Sequence, residues 1–258
     1  MTYLQRIRKI IQRAIEEGPS EFLYLELIAA LEAYEPFINV QDRLEKIWIR
    51  EVEREGLLKR NKGVTAFDLA SIRPQLRDEL ERRIMFSVSL IKQNKQKATE
   101  TTLQRFNGWL SSLPAVPEVR EAQLSDIRET AKDIAKPLKQ LPYDERRVAI
   151  DQSQKLISNL NQIVAFDCGA IGAYWHSHWK EANYDYREDH KKLDQNFFLI
   201  RDSQAMRDGF VKKGGHEYLE DLPEQPGEAI FCRCYYEYVY RLNRVPEECL
   251  TEKGKDAI

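Results

Sequence analysis

The residues best equipped for chemistry in this chain are its four cysteines, Cys168, Cys232, Cys234 and Cys249, and its four histidines, His176, His178, His190 and His216; all eight lie beyond residue 167. Thiolates and imidazoles are donors for soft and borderline metal ions, so this asymmetry places any metal chemistry near the C-terminus. Cys232 and Cys234 flank a single residue. If Phe231 to Tyr240 is a strand, its two-residue period turns both sulfurs to one face, where one or two imidazoles complete a tetrahedral site. His178 and His190 are the histidines expected beside them, because His176 and His178 share a strand face and His190 lies in a short turn or helix that begins just downstream. The expected ligand set is therefore His178, His190, Cys232 and Cys234, with zinc as the ion. The plainer reading makes the cysteines small buried hydrophobes and His190 a hydrogen-bonded core histidine, since a C-x-C pair lacks the second pair of a standard zinc finger. Four cysteines in a protein read as cytoplasmic are thiols or ligands sooner than a disulfide framework.

Other chemistries have thinner support, and the chain is expected not to be an enzyme. His176, His178, Arg187 and His190 can be drawn as a metal-dependent nuclease, with Arg187 on the pentavalent charge, but such a site wants a cluster of carboxylates. Glu181, Asp185, Glu188 and Asp189 are as well explained by a solvated, charge-balanced surface. Gly214-Gly215 lacks the Lys-Ser/Thr of a phosphate loop, and no G-x-S-x-G serine elbow is present. Cys168, in Asp167-Cys168-Gly169 at a helix end, reads as a packed thiol. A zinc-stabilised nucleic-acid-binding module is the remaining alternative, with Tyr235, Tyr236, Tyr238 and Tyr240 as a stacking face. Against it, Glu237, Glu247 and Glu248 offset Arg233, Arg241 and Arg244.

The elements that must position these residues follow from hydrophobic spacing. Leu4, Ile7, Ile11, Ala14 and Ile15 predict an amphipathic helix stopped by Gly18-Pro19. Ser20 caps a second helix from Glu21 to about Tyr34, and Val40, Leu44, Ile47, Trp48 and Val52 continue a third to Gly56. A short helix at Asp68 to Ile72 precedes a long one opened by Pro74 and carrying Leu76, Leu80, Ile84, Val88 and Ile91. Lys92 to Arg105 reads as a solvated helix face or a connector, with DNA contact as the less favoured use. Further helices are expected from Glu118 to about Gln140 and from Asp144 to Phe166, separated by a break at Pro142. Beyond Phe166 the pattern changes to short strands and turns: 7 of the 11 glycines and 8 of the 12 tyrosines lie there. The expected fold class is α+β, a mostly helical N-terminal region (1–142) with a small α+β C-terminal module (143–245) and a tail (246–258).

Composition limits the partners. Forty Lys+Arg against 42 Asp+Glu give a net charge of −2, so there is no global attraction to bare nucleic acid or an anionic membrane. Apolar stretches such as Leu25 to Leu31 are far shorter than the roughly 20 residues of a spanning helix. Met1 to Ile15 is too charged for a secretory signal, so synthesis in a cytoplasm and no membrane partner are expected.

Four segments together carry a resemblance: Trp175-His176-Ser177-His178, Arg187-x-x-His190 followed by Lys191-Lys192-Leu193-Asp194, Pro226-Gly227-Glu228, and Cys232-Arg233-Cys234. In order and spacing, over about residues 143 to 242, they resemble the Mu F-like minor head protein family of tailed phages. Asp194-Gln195 departs from the Asp-Gly of many members, and only helical character carries over to the first 140 residues. The resemblance implies a low-copy virion protein at the portal vertex, made in the bacterial host cytoplasm and acting in head morphogenesis and head–tail joining. It implies the phage portal protein, tail or connector proteins and further copies of itself as partners, in the family picture a dodecameric ring, with contact to genomic DNA as a lesser expectation.

Overall fold

The computed structural model describes residues 3–121 and 125–258. In chain order the helices are α1 (Tyr3–Glu17), α2 (Glu21–Glu32), α3 (Val40–Trp48), α4 (Gly56–Arg60), α5 (Ala66–Ser71), α6 (Arg73–Ser111), α7 (Pro117–Glu121), α8 (Ile127–Ile134) and α9 (Lys136–Asp167). Then come β1 (Gly172–His176), α10 (Glu188–Lys192), β2 (Phe197–Leu199), α11 (Gln204–Arg207), β3 (Tyr235–Val239) and α12 (Glu252–Asp256). The fold class is the expected one: helices first, then a small α+β module. The chain forms two compact units, neither continuous in sequence: Met1–Asn39 with Ser87–Val148, and Val40–Phe86 with Ala149–Ile258.

The first unit is helical. Ile7, Ile10, Ile11, Ala14 and Ile15 of α1 pack with Leu23, Leu27 and Leu31 of α2, Phe106 of α6, Ile127 and Ile134 of α8, and Leu138 and Leu141 of α9. Ser20 caps α2 by accepting the Leu23 N–H. Glu145 is buried with its charge satisfied, its carboxylate accepting from Tyr34 Oη (3.0 Å), Phe37 N (2.7 Å) and Ile38 N (3.3 Å). The expected break at Pro142 does not occur, because α9 runs through it. A proline inside a helix forfeits one backbone hydrogen bond and costs about 3 kcal/mol; burial of Leu138 and Leu141 in the turn before it works against that cost. The helix expected from Glu118 to Gln140 is divided among α7, α8 and the start of α9, and it crosses residues 122–124, outside the described ones. The polar stretch Lys92 to Arg105 is plain helix within α6, where Lys95 Nζ binds the carbonyls of Glu32 and Tyr34 and Arg105 pairs with Asp133.

The second unit assembles α3, α4, α5, the start of α6 (to Phe86) and the part of α9 from Ala149 on with an antiparallel sheet of order β2-β1-β3. Glu79 is buried and accepts from Arg83 and Asn159, while Arg83 also reaches Gln152, so the polar groups between α6 and α9 satisfy one another. Asn61 accepts from Tyr240 Oη (2.9 Å) and donates to Asn161 (3.0 Å), joining the end of α4 to α9 and the sheet. The sheet has a core on each face: Ala173, Trp175, Phe198 and Tyr238 on one, Ile171, Leu199, Val239, Val245 and Cys249 on the other. Residues 246–258, expected as a tail, are folded. Leu250 is buried and bridges to Val211, Lys212 N–H bonds the Cys249 carbonyl, and Thr251 caps α12.

Gly172 sits where β1 meets β2 and β3, and a Cβ there would fall 2.5 Å from the Phe198 carbonyl oxygen and 2.6 Å from the Phe197 ring. Gly172→Ala is expected to cost about 1–3 kcal/mol, as overpacked sites do, read as a lower denaturant midpoint with unchanged slope. An unaltered midpoint would mean the strands do not approach as closely as described.

Candidate metal centre

The side of α9 that faces the C-terminal module sets the cysteine loop. Asp151 Oδ1 accepts the Phe231 N–H at 2.9 Å, holding Phe231 in a left-handed conformation (φ 62°) that turns the chain into Cys232. Two turns further along, Ser158 Oγ donates to the Pro226 carbonyl at 2.6 Å. Gly227, at φ 82°, lies so close to Ser158 that a Cβ would come within 3.1 Å of it. From the other side, Arg187 at the N-cap of α10 donates to the Ile230 carbonyl at 3.2 Å. The loop is thereby fixed between α9 and α10, and α10 carries His190 over it.

His190, Cys232 and Cys234 meet there, all buried (4 %, 1 % and 1 % exposed). His190 Nδ1 lies 3.5 Å from each sulfur, and the three donor atoms fall within 4.8 Å of one another. This cluster could hold a metal ion. The other imidazole nitrogen, Nε2, is 2.9 Å from Glu224 Oε2, the carboxylate–histidine arrangement that fixes tautomer and ring orientation at metal sites. The ring also meets the edge of Trp175, centroids 5.2 Å apart. The sulfurs differ in acidity. The Cys232 thiol is pushed well below its ordinary value by the Cys234 thiol donating to it, helped by the Gly227 and Cys234 N–H groups and nearby His190 and opposed by burial. Cys234 is pushed the other way, by holding that shared proton and by burial. These surroundings favour the thiolate, the form that binds metal, at Cys232.

His178, the remaining expected ligand, is not in the cluster. Its Nδ1 pairs with Glu181 Oε1 at 2.9 Å and its ring leans on Tyr184 and Tyr235. The pairing of β1 with β3 explains this. Trp175 opposes Tyr236 and His176 opposes Tyr235, so one further step sets Ser177 against Cys234 and His178 against Arg233. Opposed residues share a face, which puts His176 and His178 on the side away from the sulfurs. The strand is also shorter than expected: β3 begins at Tyr235, and Cys232 to Cys234 enter it as extended loop.

The groups drawn as a nuclease are likewise dispersed. His176 stacks on Tyr235 and lies between Glu237 Oε2 (3.1 Å) and Gln195 Nε2 (3.0 Å), and Arg187 serves the cysteine loop. Cys168 and Cys249 are neutral thiols, each pushed up to about 11 chiefly by burial. Sequence reasoning missed Glu224, Asp151 and Ser177. Glu224 and Asp151 act across 34 and 80 residues of chain, where periodicity carries no signal. Ser177 was within reach, since extending a β1–β3 pairing places it opposite Cys234. No family model, curated protein or solved structure matches the chain.

Removing a donor should empty the cluster. Cys232→Ser and Cys234→Ser are each expected to lose bound metal, measured by elemental analysis of protein purified with zinc in the medium, while Cys168→Ser keeps the full content. Equal metal in all three would place the ion elsewhere.

Proposed function

We propose that this chain is a structural protein of a tailed-phage virion at the portal vertex, a minor head protein or head-to-tail adaptor, with a C-terminal module stapled by zinc. The observation that carries the reading is convergence. Each segment whose order and spacing resemble the Mu F-like family (Trp175 to His178, Arg187 to His190, Pro226 to Glu228 and Cys232 to Cys234) sends at least one residue to the same centre. Trp175 lies against His190, Arg187 holds Ile230, Gly227 N–H donates to Cys232 Sγ at 3.4 Å, and the sulfurs face His190 Nδ1.

Zinc is the ion the distances favour. Zinc–sulfur bonds of about 2.3 Å and zinc–nitrogen bonds of about 2.0–2.1 Å at a tetrahedral angle separate S and N by about 3.6 Å, close to the 3.5 Å from His190 Nδ1 to each sulfur. Two thiolates and an imidazole are a donor set for zinc rather than for magnesium or calcium. Burial favours a stabilising role over turnover, because all three donors are sealed from solvent and among the described residues no other group of three or more His, Cys, Asp or Glu side chains could hold an ion. That weighs against the metal-dependent nuclease.

The partners in this reading are the portal protein, tail or connector proteins and further copies of the chain, in a ring of twelve if it follows the portal. Closed rings need two different complementary patches on each subunit. Exposed Phe22 and Leu25 on α2, with Phe37 just beyond it, are apolar surface available for such a contact. Genomic DNA is less favoured, because Lys95 and Arg105 are occupied within the helical unit. No described helix is long and apolar enough to cross a membrane.

Co-expression with the portal protein of the same phage, followed by purification and imaging, tests the assignment. A ring of this chain on the portal is expected; a chain that purifies free of the portal overturns the connector role.

A further inference from the structure

Three protein donors leave a tetrahedral ion one vertex short, and the residue expected to fill it, His178, is turned to the other side of the sheet. The vertex must be supplied by what lies on the sulfur side. Continuing the β1–β3 pairing one step beyond His176↔Tyr235 places Ser177 directly opposite Cys234, on the same face as Trp175. The Ser177 hydroxyl is shielded from solvent and has no hydrogen-bond partner among the described residues. Its backbone is held firmly, with the N–H donating to Asp194 Oδ1 at 2.7 Å and Asp194 Oδ2 accepting from Trp179 Nε1 at 2.9 Å. A buried hydroxyl without a partner costs about 1–3 kcal/mol, so a group that accepts from it or donates to it is needed. A second buried donor on that face, Trp175 Nε1, is also unpaired.

We propose that the fourth ligand of the metal is a solvent oxygen held by Ser177 Oγ, so that the centre is Cys232, Cys234, His190 and water rather than two cysteines and two histidines. This rests on the zinc reading above and adds the identity of the fourth donor and of the residue that positions it. A water bound to zinc has two protons to donate and a lone pair free to accept, which is what an isolated serine hydroxyl can engage. The Ser177 hydroxyl thus acts on the metal through its ligand, and Ser177 is a positioning residue. The resulting centre has three protein ligands and one buried water, in contrast with the four-residue sites of zinc fingers.

X-ray absorption at the zinc edge, with affinity measured by competition against a chromophoric chelator, tests this on the full chain. The wild-type protein is expected to show two sulfurs, one imidazole and one further light ligand, with the same shell in His178→Ala. Ser177→Ala is expected to bind zinc about tenfold more weakly, the lower end of what loss of an outer partner costs. Ser177→Thr, which keeps the hydroxyl, should restore the affinity. A second imidazole that vanishes in His178→Ala overturns the proposal and leaves the zinc reading standing. So does a Ser177→Ala protein of wild-type affinity, or a Thr variant as weak as the Ala variant while both melt as the wild type does. Protein that retains no zinc at all removes the zinc reading and this proposal with it.

Discussion

Residues that oppose one another across an antiparallel pair share a face, and the alignment of β1 with β3 settles almost every side-chain partnership in the C-terminal unit. Because Gly172 opposes Val239 and the pairing runs without a bulge to His176 and Tyr235, Ala173 and Trp175 fall on the side of the cysteine loop, and Tyr174 and His176 on the side of Cys249. A slip of one residue would exchange the two sets, putting imidazoles beside the sulfurs and burying the indole of Trp175 elsewhere. Gly172 pins the alignment from the β2 side, since only a residue without a side chain allows the Phe198 carbonyl and the Phe197 ring to approach as they do. The composition of the candidate centre is thus a consequence of strand pairing before it is one of affinity.

This also explains which parts were legible in the sequence. The helices could be read because their apolar positions recur locally: Ile7, Ile11 and Ile15, or Leu23, Leu27 and Leu31, signal a buried stripe without knowledge of what covers it. Cys232 and Cys234 could be read as a same-face pair for a similar reason, since the two-residue alternation of extended chain holds in the loop that leads into β3. What could not be read was the phase between elements. His176 and His178 were placed together, but whether their face or that of Trp175 and Ser177 meets the sulfurs depends on a pairing set by side chains far apart in the chain. Pro142 misled for a related reason. Its local cost is real, but burial of Leu138 and Leu141 acts against it in a helix that packs on neighbours distant in sequence.

The second half of α9 gives the centre its rigidity, and it does so through groups that contact no donor atom. Asp151 and Ser158 lie on one side of the helix, seven residues apart, where two turns bring side chains back into line, and they hold Phe231 and Pro226 at the two ends of the short loop that bears Cys232. The loop therefore enters its left-handed turn at Phe231 against a fixed helix. Such a turn costs a non-glycine residue roughly 1–2 kcal/mol, an expense that the buried carboxylate of Asp151 offsets by accepting the N–H that would otherwise be lost to solvent.

The same geometry makes the metal-free state uncomfortable. The buried sulfurs of Cys232 and Cys234 each lie 3.5 Å from a buried imidazole nitrogen, with a carboxylate, Glu224, on the far nitrogen of the ring. A thiolate in a sealed pocket is costly unless a positive charge faces it. A divalent cation at the centre of the three donors would supply that charge and take three buried polar groups as its ligands. Donors on segments separated by some forty residues would in that case join α10 to the entrance of β3, tying ion binding to the packing of the module.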